Sequence, residues 1–265
     1  MRRYLRIFSL YFQHGFQYRA RQFMWLLIAF INPLVLLLFW QGIFASKSYV
    51  GEWDAMHINS YYLFIIVASA LLMQHVELQI ANMDILRGDL VRELLKPFSY
   101  FKVRLIAEIP WRFIQGFYAI CMVVFLVIVL KKPVILFPNP EQLYLIFFIV
   151  LNAYFLSFYF KMVLGFCAFW LTNLYGLMEF NDVLTIMLSG LVLPLELLPG
   201  WLHQIAIFTP YPYILHYPVA AAIGLYSSQE LIWVILIQLV WIITFYGLSK
   251  FMWSRGLKQF TGVGQ

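Results

Sequence analysis

Glu77 and Lys161 each stand inside a long apolar run. A charge at membrane depth is expensive, so such residues either line a polar path or are tied down. For Lys161 the choices are a polar path, snorkelling to headgroups, or a structural ion pair. Glu77, near the inner end of its span, is placed to pair with a cytoplasmic arginine. Glu196, between Pro194 and Pro199, reads as an acceptor for irregular backbone. Glu108 and Arg112 are four apart in the order that favours a helical pair. Other chemistry is thin. No G-x-x-x-x-G-K-[ST] phosphate loop occurs, which excludes ATP hydrolysis by that route. The histidines His14, His57, His75, His203 and His216 form no H-E-x-x-H pattern and read as interface or loop residues. Met187 stands where a serine-protease G-x-S-G motif ahead of Gly190 requires glycine. No catalytic residue, metal site or resident cofactor is expected.

The most specific stretch is 82–104. Leu86, Leu90 and Leu94 step by four, with Val91 and Leu95 alongside. Asp89, Arg92, Glu93 and Lys96 take the other side and form favourable three-apart pairs. Pro97 stops the pattern. This predicts a helix of roughly 12 residues, oily on one face, which suits docking into a groove on another protein. The alternative is packing against the chain's own helix ends. At the N-terminus, Leu5, Phe8, Phe12 and Phe16 share one helical face, while Arg3, Arg6, Gln13 and Gln17 share another. Residues 1–21 therefore read as an amphipathic helix in the membrane interface, its arginines attracted to anionic lipid.

The elements that carry these residues follow from composition. Of 265 residues 63% are apolar and only 11% charged, and the mean hydropathy is +0.82. A soluble domain carries about 25% charge, so a soluble enzyme, a disordered chain and a nucleic-acid binder are excluded. Cys121 and Cys167 lie in apolar runs and read as small lipid- or core-facing residues. No cleavable targeting segment, repeat or low-complexity tract is read.

A crossing helix needs about 20 apolar residues. Six stretches qualify: 23–45, 60–81, 111–130, 143–171, 177–198 and 231–249. Pro110 is placed at the first turn of the third, and Ser227-x-x-Glu230 reads as a capping box before the sixth. Spans one to four show no break. Lys and Arg divide 14 to 3 between alternate loops, Lys161 set aside, which places both termini in the cytoplasm. Residues 199–228 are apolar, lack every charged type and hold Pro199, Pro210, Pro212 and Pro218. They read as short helices dipping back into the outer leaflet. Seven tryptophans near span ends read as interfacial anchors. The expected fold is one all-α polytopic membrane domain over 1–265: six transmembrane helices, the interfacial helix and the re-entrant hairpin between spans five and six.

Asp84-Ile85-Leu86-Arg87-Gly88-Asp89-Leu90 and Leu94-Leu95-Lys96-Pro97-Phe98-Ser99-Tyr100 together resemble the cytoplasmic loop of bacterial ABC-2 type transporter permeases. Residues 191–202 resemble those permeases where span five enters the re-entrant region, and the closing Trp253-Ser254-Arg255-Gly256-Leu257 also fits. The resemblance implies an export permease subunit of the bacterial inner membrane. Leu86, Arg87, Gly88, Leu90, Val91, Arg92, Glu93 and Leu94 would form its coupling helix. Pro194, Glu196, Pro199, Gly200 and Trp201 would border the outer gate. It further implies two ATP-binding subunits that hold ATP and Mg, a second permease, identical or paralogous, and a hydrophobic or amphiphilic substrate. The competing readings are a self-contained six-span secondary transporter or channel, and an intramembrane enzyme or scaffold.

Overall fold

The structure, a computed structural model, describes residues 2–17, 19–131, 133–137 and 139–261. The described residues are mostly helical. α1 (Arg2–Gln17) and α2 (Arg19–Phe44) lead into a two-residue hairpin, β1 (Tyr49–Val50) against β2 (Trp53–Asp54). α3 (Ala55–Leu72) starts where the Asp54 carboxylate accepts from the His57 amide at 2.7 Å, an N-cap of the usual kind. Partial burial raises the Asp54 carboxyl, but the His57 amide and ring outweigh it and hold it below the ordinary carboxylate range.

The expected unbroken second span is interrupted. α3 ends at Leu72, Met73 to His75 are non-helical, and the helix resumes as α4 (Val76–Leu78) and π-helical turns over Gln79–Leu86. No proline or glycine causes this. The Gln74 amide donates to Ser157 Oγ at 3.4 Å, and Gln74 Nε2 donates to the Tyr154 carbonyl at 3.0 Å. A neighbouring helix thus supplies bonds that the helix itself forgoes, which is how broken membrane helices are tolerated.

α5 (Leu90–Leu94) is five residues, less than half the expected length. α6 (Tyr100–Leu130) begins eleven residues ahead of the expected span, so Pro110 lies inside a 31-residue helix rather than in its first turn. α7 (Leu143–Phe166) follows, then α8 (Tyr175–Leu188). The helix expected over 177–198 ends at Leu188, because Gly190 takes φ +83 and Pro194 follows. Beyond it lie only bends and a 3-10 turn at Leu195–Leu197. Residues 199–228 hold three short helices, α9 (Gly200–Ile207), α10 (Tyr211–Ile214) and α11 (His216–Ala222). α12 (Ser228–Gly256) opens on the expected Ser227–Glu230 capping box.

α7 is the central post. It packs against α12 along its length, and against α3, α4, α10 and α11. Gly165 permits its closest approach, since a Cβ there would stand 2.9 Å from Ile80 Cβ and 3.2 Å from Glu77 Cα. Among the described residues four helical segments are long and apolar enough to cross a membrane: Ala55–Leu86, Tyr100–Val129, Pro140–Phe169 and Ser228–Gly256. This is the architecture of an all-α polytopic membrane protein. One end of the bundle, here the near end, carries Tyr100 and Trp253, whose rings stack at 4.5 Å. The far end carries the hairpin and Glu196. The tryptophans divide: Trp201 and Trp233 are exposed, whereas Trp40 and Trp53 are buried against Tyr62 and Tyr61.

Candidate functional site

At the near end the chain from Gln79 to Ser99 hangs between α4 and α6. Its base is fastened by a buried trio: the Arg104 guanidinium pairs with Asp84, and the Tyr100 hydroxyl donates to the same carboxylate. Tyr100 in turn stacks on Trp253 of α12, and Lys250 Nζ sits 4.0 Å over the Phe101 ring. Charge and aromatic packing thus join this loop to α6 and α12 together.

The leucine stripe is split. Leu90 is fully buried in the core with Ile80, Ile85 and Tyr100, whereas Val91, Leu94 and above all Leu95, 81% exposed, face outward. Leu86 and Gly88 are half-buried, and Arg87 and Arg92 are exposed. Both expected pairs form, Arg92 with Asp89 at 3.8 Å and Lys96 with Glu93 at 2.7 Å. On α1, Phe8 stacks on Phe12 at 6.0 Å and Arg6 is exposed. The side chains of Arg3 and Phe16 lie outside the described residues.

Just inside the near end, the α3 break gathers charge. Lys161 Nζ donates to Glu77 Oε1 at 2.9 Å, and both side chains are more than nine-tenths buried. Lys161 is therefore paired rather than snorkelled, and the partner of Glu77 is a lysine rather than an arginine. His75 Nδ1 lies 3.7 Å from the same Glu77 oxygen. Arg112 lies 3.6 Å from Glu108, as the spacing predicts, and donates to Gln115 at 2.9 Å and to the Ala70 carbonyl at 3.3 Å. Buried oxygens of Gln74, Glu77 and Tyr154 have no hydrogen-bond partner among the described residues. A half-satisfied network of this kind suits a site that admits water.

At the far end, Glu196 Oε1 accepts from the Tyr226 hydroxyl at 2.7 Å and faces His216 Nε2 at 3.2 Å. His216 is fully buried, and its Nδ1 lies 2.9 Å from the Tyr61 hydroxyl, which donates to the Gly190 carbonyl at 2.8 Å. Glu196 therefore meets the His216 and Tyr226 side chains in addition to a backbone amide, its own. Pro194 is buried and its carbonyl caps the Leu197 amide, while Pro199, Gly200 and Trp201 are exposed.

Residues 30–264 match the family described as ABC-2 family transporter protein. The chain belongs to that family. No curated protein matches it. For an ABC-2 type permease the loop from Gln79 to Ser99 and the two polar clusters are the features outside ordinary helix packing. Sequence reasoning singled out Glu77, Lys161 and Glu196 in the permease but not Asp84, Arg104, Tyr61, His216 or Tyr226 as members of a network. A histidine in a stretch without other charge was the available signal, because a buried imidazole must find partners. The tyrosines carried none: Tyr61 and His216 are 155 residues apart.

Proposed function

We propose that this chain is the membrane subunit of a bacterial inner-membrane exporter. It forms the path for a hydrophobic or amphiphilic substrate and is driven by two separate ATP-binding subunits, which hold ATP and Mg. A second permease, identical or paralogous, completes the assembly. In this reading α2, the four long segments and α8 with its continuation make six spans, α9 to α11 form the outer re-entrant hairpin, and α1 lies in the interface. The near end is cytoplasmic, following the excess of Lys and Arg there.

The observation that carries this reading is the loop at α5. Leu90 roots it in the core, and Val91, Leu94 and Leu95 present an apolar edge outward. The Asp84–Arg104–Tyr100 trio passes motion of that edge to α6 and α12. An exposed apolar edge on a rigid mount suits a partner's groove. Leu94→Asp combined with Leu95→Asp should release the ATPase subunits while membrane insertion persists, as read by affinity purification in mild detergent. Undiminished co-purification defeats the docking role. Leu90→Asp is unsuitable for this test, because a buried charge there disturbs folding itself.

Orientation is tested separately. Single cysteines at Lys47 and Arg92 should react with an impermeant thiol reagent from the periplasmic and cytoplasmic sides respectively; the reverse pattern defeats the topology. A second reading, a self-contained ion-coupled transporter, draws support from one observation: the α3 break lies beside buried Glu77 and Lys161. Vesicles holding this chain alone that move solute down an ion gradient would favour it.

A further inference from the structure

The far end holds a cleft that belongs to neither polar cluster. Its volume is about 440 Å³, within the range of about 300–1,000 Å³ that small-molecule sites occupy. Met56 and His57 of α3 form one wall, Ile135, Leu136 and Asn139 of the connector after α6 a second, and Ile223, just past α11, the third. Ile223 is 1% exposed and makes the floor, whereas Leu136 is 67% exposed and stands at the rim. The walls are tied to one another. The Ile135 amide donates to Ser60 Oγ at 2.8 Å, and Ser60 Oγ donates to the Met56 carbonyl at 2.7 Å. The Phe137 amide donates to the Ala222 carbonyl at 3.2 Å, and the Phe137 ring meets Phe64 edge-on at 5.6 Å. Phe137 holds φ +44, a backbone cost that persists only where the surroundings impose it.

The lining is aliphatic apart from two side chains, and both present an acceptor. His57 Nδ1 lies 2.9 Å from Asp54 Oδ1. A carboxylate there accepts the Nδ1–H bond and leaves Nε2 of the neutral imidazole as an acceptor. That Nε2 has no hydrogen-bond partner among the described residues. Asn139 directs its amide nitrogen to Gln142 Oε1 at 3.4 Å, and its Oδ1 is left without a partner among the described residues. No lysine or arginine lines the cleft. Asp54 is ionised beside the ring, with 33% of its side chain exposed. The Asp54–His57 unit with a neutral ring therefore carries one negative charge.

We propose that this cleft binds a small amphiphilic amine. The ammonium donates to His57 Nε2, its charge is balanced by Asp54, and Asn139 Oδ1 offers a second acceptor. The aliphatic tail lies on Met56, Ile135, Leu136 and Ile223. An alcohol of the same length matches the tail but not the charge, and a fatty acid meets Asp54 as a like charge. The assignment is one of equilibrium binding at the far end. It goes beyond the export reading and does not depend on it.

Binding of radiolabelled decylamine is measured on the full chain, with whatever subunits accompany it, in nanodiscs of zwitterionic lipid, with empty nanodiscs as the blank. At about pH 8 an alkylamine is charged and an ordinary imidazole is neutral. The protein-specific signal should saturate, and decanol and decanoate should compete at least about tenfold more weakly than unlabelled decylamine. Asp54→Asn removes the charge yet still caps α3, since Asn and Asp are equivalent caps. It should weaken decylamine by at least about tenfold and change decanol little. His57→Phe keeps a ring, removes the acceptor and should weaken decylamine as much; if it folds poorly, Asp54→Asn still decides. An absent saturable signal, equal competition by the three probes, or wild-type decylamine affinity in either folded variant overturns the assignment. Because no ATP is added, failure here leaves the exporter reading standing, and failure of ATPase co-purification leaves the amine site standing.

Discussion

Lys161→Ala is expected to cost about 3–5 kcal/mol, because it strands the Glu77 carboxylate at a buried position. Both side chains are more than nine-tenths buried and their N–O distance is 2.9 Å. In detergent the thermal midpoint should fall by on the order of 10 °C for a loss of this size. The pair itself is not what stabilises the fold; a buried ion pair roughly breaks even against apolar residues of similar volume. Lys161→Met together with Glu77→Leu should therefore recover most of the midpoint. If the single variant melts with the wild type, the lysine is solvated in the membrane and the pairing is not formed. If the double variant is as unstable as the single, the loss comes from packing against α7 rather than from stranded charge.

Gly190→Ala is the second large effect. Gly190 takes φ +83, where an added Cβ is strained, and that Cβ would stand 2.5 Å from the Tyr61 hydroxyl and 2.8 Å from His216 Cβ. Backbone strain and overpacking each cost about 1–3 kcal/mol, so the sum is about 2–6 kcal/mol. The clash falls on the junction between the end of α8 and α11, so the Tyr61–His216–Glu196 cluster should open as well. Gly176→Ala and Gly200→Ala are the controls, since a Cβ at either meets nothing within 4 Å. Thermal midpoints of the three variants decide the matter. A Gly190→Ala protein as stable as the two controls would mean that the turn at Ser189–Gly190 is free to rearrange.

Much of the helical framework was legible because it is written locally. The apolar runs, the Ser227–Glu230 capping box and the three-apart pairs around Arg92 all depend on neighbours in sequence. What escaped was decided across distance. The α3 break at Met73–His75 has no proline or glycine; it follows from Gln74 finding Ser157 and the Tyr154 carbonyl on α7. Glu77 and Lys161 each stood out as a costly charge, but a separation of 84 positions hid the fact that they are one pair. Pro110 pointed to a helix start, and local rules favour that. Helix on both sides of Pro110, with Arg112 of the following turn bonded to Ala70 and Gln115, carried α6 through it. The stripe at Leu90 was legible as an apolar face but not as one shared between the chain's own core and the outside. Periodicity reports which residues are oily, not what covers them.

The length of α6 fixes a geometry for whatever engages the loop before it. Thirty-one residues rise about 46 Å, against a hydrocarbon layer of about 30 Å. The surplus is a cantilever of about 15 Å, and with the far end seated in the bilayer it overhangs at the end that carries α5. Pro110 lacks the amide that would bond the Ile106 carbonyl, so the beam is weakest near its point of emergence. A body pressing on Leu94 and Leu95 therefore acts at a stand-off from the lipid, and the bending it produces concentrates where the beam leaves the membrane.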